Sequence, residues 1–112
     1  GSKILLMGMT FKENCPDVRN TKIIDIHSEL NDFGIDVDCY DPWIDENDGK
    51  KELGINLIQQ PSKNNYDGIV VAVGHQIFLE MGASEIRKFG KDRHVLFDLK
   101  SLFPFSQSDL RL

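Results

Sequence analysis

Between Gly8 and Asn20 the chain reads GMTFKENCPDVRN, with Lys12 and Arg19 standing among Glu13, Asp17 and the turn-stiffening Pro16. Lysine offers three donors on a point charge, and arginine a planar fork that grips a carboxylate or phosphate through two bonds. Two such cations on one loop suit an anionic ligand. The competing reading is a solvated network in which Arg19 pairs with Asp17 or Glu13. Position favours ligand contact, above all for Lys12, because the loop follows the apolar run Lys3–Met9 and precedes a helical pattern. That is where α/β proteins place ligand-binding loops.

Other residues carry weaker signals. Lys100 follows a later strand pattern and points to the same edge as Lys12. Asp41, Trp43 and His75 also sit at predicted strand ends, so two lysines, an indole and an imidazole are expected to converge there. Each of the last three has a plainer explanation: an Asx turn at Asp41-Pro42, an indole over a helix–sheet boundary, and a helix cap at His75. Gly8-Met9-Thr10-Phe11 has only the first glycine of the dinucleotide fingerprint, and no Walker A loop occurs, so this domain is not expected to hold the pyrophosphate of NAD in the usual manner. Cys15 and Cys39 lack metal-ligand spacing and are too few for a disulfide framework. Cys39 lies within a strand pattern and reads as a buried thiol. Cys15 lies near Lys12 but has no His nearby in sequence, and a structural role is expected for both.

These residues are positioned by alternating strand and helix patterns. Lys3–Met9 is nearly continuous in large apolar residues, as buried central strands are. Asn20 or Thr21 can cap a helix whose apolar positions are Ile23, Ile26, Leu30 and Phe33, ended by Gly34 as a left-handed residue. Strands are expected at Ile35–Tyr40, briefly at Ile55–Ile58, at Ile69–Val73 and finally at His94–Asp98. A charged surface helix is expected over 44–54. Phe78, Met81, Ile86 and Phe89 fit one helix or two, broken at Gly82 with Ser84 as a possible cap, while the tail from Phe103 has no strong pattern. The expected fold is α/β: a three-layer, doubly wound, mostly parallel sheet of about five strands, Rossmann-like or flavodoxin-like. A receiver-type signalling domain shares that architecture, but Thr10-Phe11-Lys12 stands where its acidic pair is needed, and Ile58-Gln59-Gln60 where its phosphorylatable Asp is needed.

The 112 residues make one domain, with 13 Lys+Arg against 18 Asp+Glu and a formal net charge of −5. Such an acidic mean field disfavours general binding to nucleic acid or anionic membranes, so an anionic ligand needs a local cationic pocket. No apolar run approaches the roughly 20 residues of a membrane helix, and no secretory leader is present, so a cytoplasmic setting is expected. Gly1-Ser2 reads as a remnant of tag removal, and residues 3–112 as a single domain excised from a larger protein.

In order and spacing, GMTFKENCPDVRNTKIIDI, VDCYDPW, DGIVVAVGHQIF and VLFDLKSLF resemble the C-terminal, UDP-binding domain of the UDP-glucose/GDP-mannose 6-dehydrogenases. The ENCPD-RNT wording is especially similar to the bacterial UDP-N-acetylhexosamine branch used for surface polysaccharides. The resemblance implies an intact enzyme that oxidises the C6 alcohol of a UDP-sugar to a carboxylate, using two NAD⁺ and a cysteine-linked intermediate. The catalytic cysteine and the main NAD site would belong to N-terminal and central helical domains outside this chain, and a homo-oligomer is implied for the whole. Carried over by motif, Phe11 and Lys12 are expected to contact the nucleotide sugar, and Arg19 to lie on the cofactor side at the domain interface. Lys100 replaces an Arg that contacts substrate in many members, a point charge for a fork. Without the resemblance, a stand-alone flavodoxin-like binding or regulatory module remains the alternative.

Overall fold

The computed structural model describes residues 2–9, 23–45, 47, 50, 54–99, 103 and 107–111. Its elements, in chain order, are β1 (Lys3–Met7), α1 (Ile23–Asp32), β2 (Asp36–Tyr40), β3 (Tyr66–Val71), α2 (Gln76–Arg87), β4 (Gly90–Asp98) and β5 (Leu110–Arg111). The strands form one sheet in the order β2-β1-β3-β4-β5, every pairing parallel. This is the 2-1-3-4-5 order of the flavodoxin-like class.

Side-chain alternation along β1 explains the layers. Leu5 and Met7 join a cluster with Ile69, Val71 and Leu96 against Phe78, Ala83 and Ile86 of α2. Leu6 faces the other way, joining Met9, Cys39, Leu57 and Ala72, with Ile23 and Ile24 of α1 packed on them. Consecutive residues of a strand point to opposite faces, so a sheet with a helix on each side needs the nearly continuous apolar runs seen here. Helix, sheet and helix are therefore stacked as expected.

α1 ends in a Schellman turn: Ile35 N–H donates to the Leu30 carbonyl at 3.1 Å and Gly34 N–H to that of Asn31 at 2.9 Å, with Gly34 at φ 76°. α2 is two helical pieces joined at Gly82, whose φ of 77° and ψ of 157° break the spiral, so the expected break is observed. Three expectations are corrected. Phe33 is 79% exposed, because the helix has ended one residue earlier and its spiral no longer aims that side chain at the sheet. The Ile55–Ile58 segment makes a single parallel bridge, Leu57 to Cys39, along the outer edge of β2 rather than a strand. His94–Asp98 is not the last strand: β4 begins at Gly90, and β5 follows it. Most of the 44–54 helix, and the caps proposed at Asn20 and Thr21, lie outside the described residues.

Candidate functional site at the carboxyl edge of the sheet

The chain leaves β1 toward β2 on one side and returns to β3 on the other, which opens the topological switch point between β1 and β3. Just past the strand ends the backbone ladder continues for one more residue. Gly8 N–H donates to the Tyr40 carbonyl at 2.9 Å, Ala72 N–H to Met7 at 2.9 Å, and Leu99 N–H to Val71 at 3.0 Å. The exits of four strands are thus pinned side by side. Gly8 holds φ 100°, and a Cβ placed on it would lie 2.7 Å from Val73 Cβ. Only glycine allows β1 to leave so close to the exit of β3.

Asp41, immediately after β2, organises this edge. Its Oδ1 accepts the Trp43 N–H at 2.8 Å, the Asx turn the sequence suggests. Its Oδ2 accepts the Met9 N–H at 2.7 Å and meets His75 Nε2 at 2.9 Å. Both side chains are fully buried. His75 does occupy the N-cap position of α2, and its carbonyl accepts the Phe78 N–H at 3.0 Å. Its ring caps nothing, however. It turns inward to Asp41 and packs edge-on against Phe78, the ring centres 5.3 Å apart. Trp43 lies 6.1 Å from the same imidazole. With Pro42, Gln76, Ile77 and Glu80 it lines an open groove of about 290 Å³, and its indole remains 43% exposed.

Nearby titratable groups are held in set states. The Tyr40 phenol is pushed above its ordinary value by burial and then by the Asp41 charge, so it stays neutral at physiological pH. The Cys39 thiol is pushed up to about 12 by burial and by Asp38, which makes it a packing group rather than a nucleophile. At the end of β4, the buried Asp98 accepts the Phe103 N–H at 2.9 Å.

Phe11, Lys12, Arg19 and Lys100 lie outside the described residues, as does Cys15. Of the weaker candidates, the structure brings Asp41, Trp43 and His75 together, but with the imidazole buried rather than presented to solvent. Sequence reasoning missed the Asp41–His75 pair as a unit, because its members are 34 residues apart. The available signal was that each directly follows an apolar strand run at the same edge of one sheet.

A parallel 2-1-3-4-5 sheet whose buried polar groups gather at the carboxyl edge around the switch point defines a doubly wound α/β ligand-binding domain. Comparison with known proteins narrows the class. The model of the UDP-glucose/GDP-mannose dehydrogenase family, UDP binding domain, matches residues 5–104, and the chain belongs to this family. It is 53% identical over all 112 residues to UDP-N-acetyl-D-glucosamine 6-dehydrogenase of Salmonella typhi, and 54% identical over the same span to the enzyme so named in Pseudomonas aeruginosa. It covers 26% of the length of each of these relatives. Among solved structures, a UDP-glucose dehydrogenase from Pyrobaculum islandicum superposes with a TM-score of 0.74 over 99% of this chain and 24% of its own, at 17% identity. That likeness supports the fold. Among the described residues, no helix is long and apolar enough to cross a membrane.

Proposed function

We propose that residues 3–112 form the C-terminal, nucleotide-sugar-binding domain of an NAD-dependent 6-dehydrogenase that oxidises the C6 alcohol of a UDP-N-acetylhexosamine to a carboxylate. The observation that carries this reading is the identity of 53–54% over the whole chain to two UDP-N-acetyl-D-glucosamine 6-dehydrogenases. Phe11, Lys12 and Lys100 contact the UDP-sugar, and Arg19 lies on the cofactor side of a domain interface. Their places in sequence agree with this. Phe11 and Lys12 follow Met9 shortly after the exit of β1, and Lys100 follows Leu99 at the exit of β4. Sequence neighbours at those two exits support a role for both lysines at the same edge.

The residues present do not suit the pyrophosphate of NAD. The one glycine of the first loop is spent on the contact with Val73, which leaves no open glycine turn for a phosphate. NAD is therefore held mainly by an N-terminal domain of the same polypeptide, with a central helical domain between, and it supplies the hydride acceptor when bound. The intact enzyme is a cytoplasmic homo-oligomer. This chain supplies substrate binding and orientation, and neither Cys15 nor Cys39 is the catalytic cysteine.

The test is NADH formation by the full-length polypeptide with UDP-N-acetylglucosamine and its N-acetylhexosamine epimers. Turnover with at least one of them is expected, and none from the 112-residue chain alone. Lys12→Ala removes a charge-assisted contact of about 1.5–3 kcal/mol, equivalent to roughly a 10- to 150-fold loss in kcat/KM for the UDP-sugar. Normal kinetics in that variant would remove Lys12 from the site.

A further inference from the structure

The substrate contacts proposed above make no use of the most deeply buried polar pair at this edge. Enclosing a carboxylate costs several kcal/mol unless its lone pairs are met by donors. Asp41 meets that demand with three donors taken from three strand exits: Met9 N–H after β1, Trp43 N–H after β2, and His75 Nε2 after β3. Two of these are backbone amides, whose roles are fixed. With both oxygens already accepting, the proton shared with the ring belongs on Nε2 of His75. The carboxylate thus ties together three chain segments, one of which leads directly into the substrate loop.

We infer that Asp41 and His75 form a positioning pair that sets the exit of β1 and, through it, the placement of Phe11 and Lys12 against the nucleotide sugar. The inference rests on the proposed function. Lys12 is three residues beyond Met9, so its Cα lies at most about 11 Å from that of Met9. Over so short a tether, the direction in which the chain leaves Met9 bounds where Lys12 can lie. Contacts that orient a reacting ligand are sensitive to displacements of about 1 Å. His75 touches no ligand in this account. It acts through Asp41, and Asp41 through the Met9 amide.

A purely structural pair would stabilise the fold without favouring one substrate, and kinetics of the full-length enzyme separate the two roles. His75→Phe keeps a ring beside Phe78 but removes the donor. His75→Gln places an amide N–H₂ where Nε2 was. For His75→Phe, KM for the UDP-sugar is expected to rise at least tenfold while KM for NAD⁺ stays within twofold. His75→Gln is expected to return the UDP-sugar KM to within about threefold of wild type. Should His75→Phe fail to fold, His75→Asn, which falls short of Asp41, reports the same ratio of the two KM values. A melting temperature lowered in either variant with the KM ratio unchanged overturns the inference and leaves the pair as scaffold. A wild-type enzyme that reduces no NAD⁺ with any UDP-sugar overturns the proposed function instead, and this inference with it.

Discussion

Replacing Gly8 by alanine tests whether the exits of β1 and β3 are packed as closely as the ligand-binding edge requires. The added Cβ would sit 2.7 Å from Val73 Cβ and 2.9 Å from Val73 N, on a residue whose φ is 100°. A flexible side-chain tip can yield to such a contact, but the backbone of Val73 cannot move without disturbing the Ala72–Met7 hydrogen bond beside it. The positive φ costs an L-residue about 1–2 kcal/mol, and forcing a methyl into filled space about 1–3 kcal/mol more, so a loss near 3 kcal/mol is expected. With an unfolding entropy of about 2.1 cal/mol/K per residue, that lowers the melting temperature of a 112-residue domain by roughly 13 °C. Gly34→Ala is the control. It shares the positive φ, at 76°, but nothing lies within 4 Å of its Cβ position, so only the backbone cost of about 1–2 kcal/mol applies. Thermal unfolding followed by circular dichroism, with urea titration at 25 °C, measures both. Equal losses at the two positions would refute the close packing of the strand exits.

Two further predictions concern titration and reactivity. The hydrogen bond from Arg87, followed by that from the Leu96 amide, holds the Asp109 carboxyl below its ordinary range. A depressed folded-state pKa stabilises the fold above the unfolded value of about 4, and this contribution fades as pH falls through the lower folded value. Wild type should therefore exceed Asp109→Asn in urea stability at pH 7 by a margin that narrows toward pH 2, and a constant margin would contradict the assignment. Cys39, buried with its thiol pushed up to about 12, should resist a thiol-reactive disulfide reagent at pH 8 in a Cys15→Ser background until denaturant is added. Labelling in the native state at the rate of an exposed cysteine would show that β2 is not packed as described.

Some of this was legible before the structure because the signal was local. The runs in β1 and β3 are apolar on both faces, which marks strands enclosed between helices, and Gly34 and Gly82 announced their breaks by residue type alone. Phe33 was misplaced because helical spacing fitted it, while the chain had already left the spiral at Asp32. The first half of β4 was missed because residues 91–95 are mostly exposed and polar, and β5, only two residues long, has no periodicity to read. Leu57 looks like a strand residue and lies along β2, but propensity does not say how many ladder bonds an edge segment makes. The Asp41–His75 pair was hidden for a different reason. Each residue has an ordinary local role, in an Asx turn and at a helix start, and only the crossover from β2 to β3 brings them to 2.9 Å.

The central claim is that the carboxyl edge of this sheet binds a UDP-sugar. Titrating UDP into the ¹⁵N-labelled chain, with the amide spectrum recorded at each step, tests it most directly. Saturable shifts confined to the strand exits are predicted, at Gly8–Met9, Asp41, Val73–His75 and Leu99, with the amides of Lys3, Asp36 and Tyr66 at the opposite edge unmoved. Shifts centred on that opposite edge, or none up to millimolar UDP, would contradict the account.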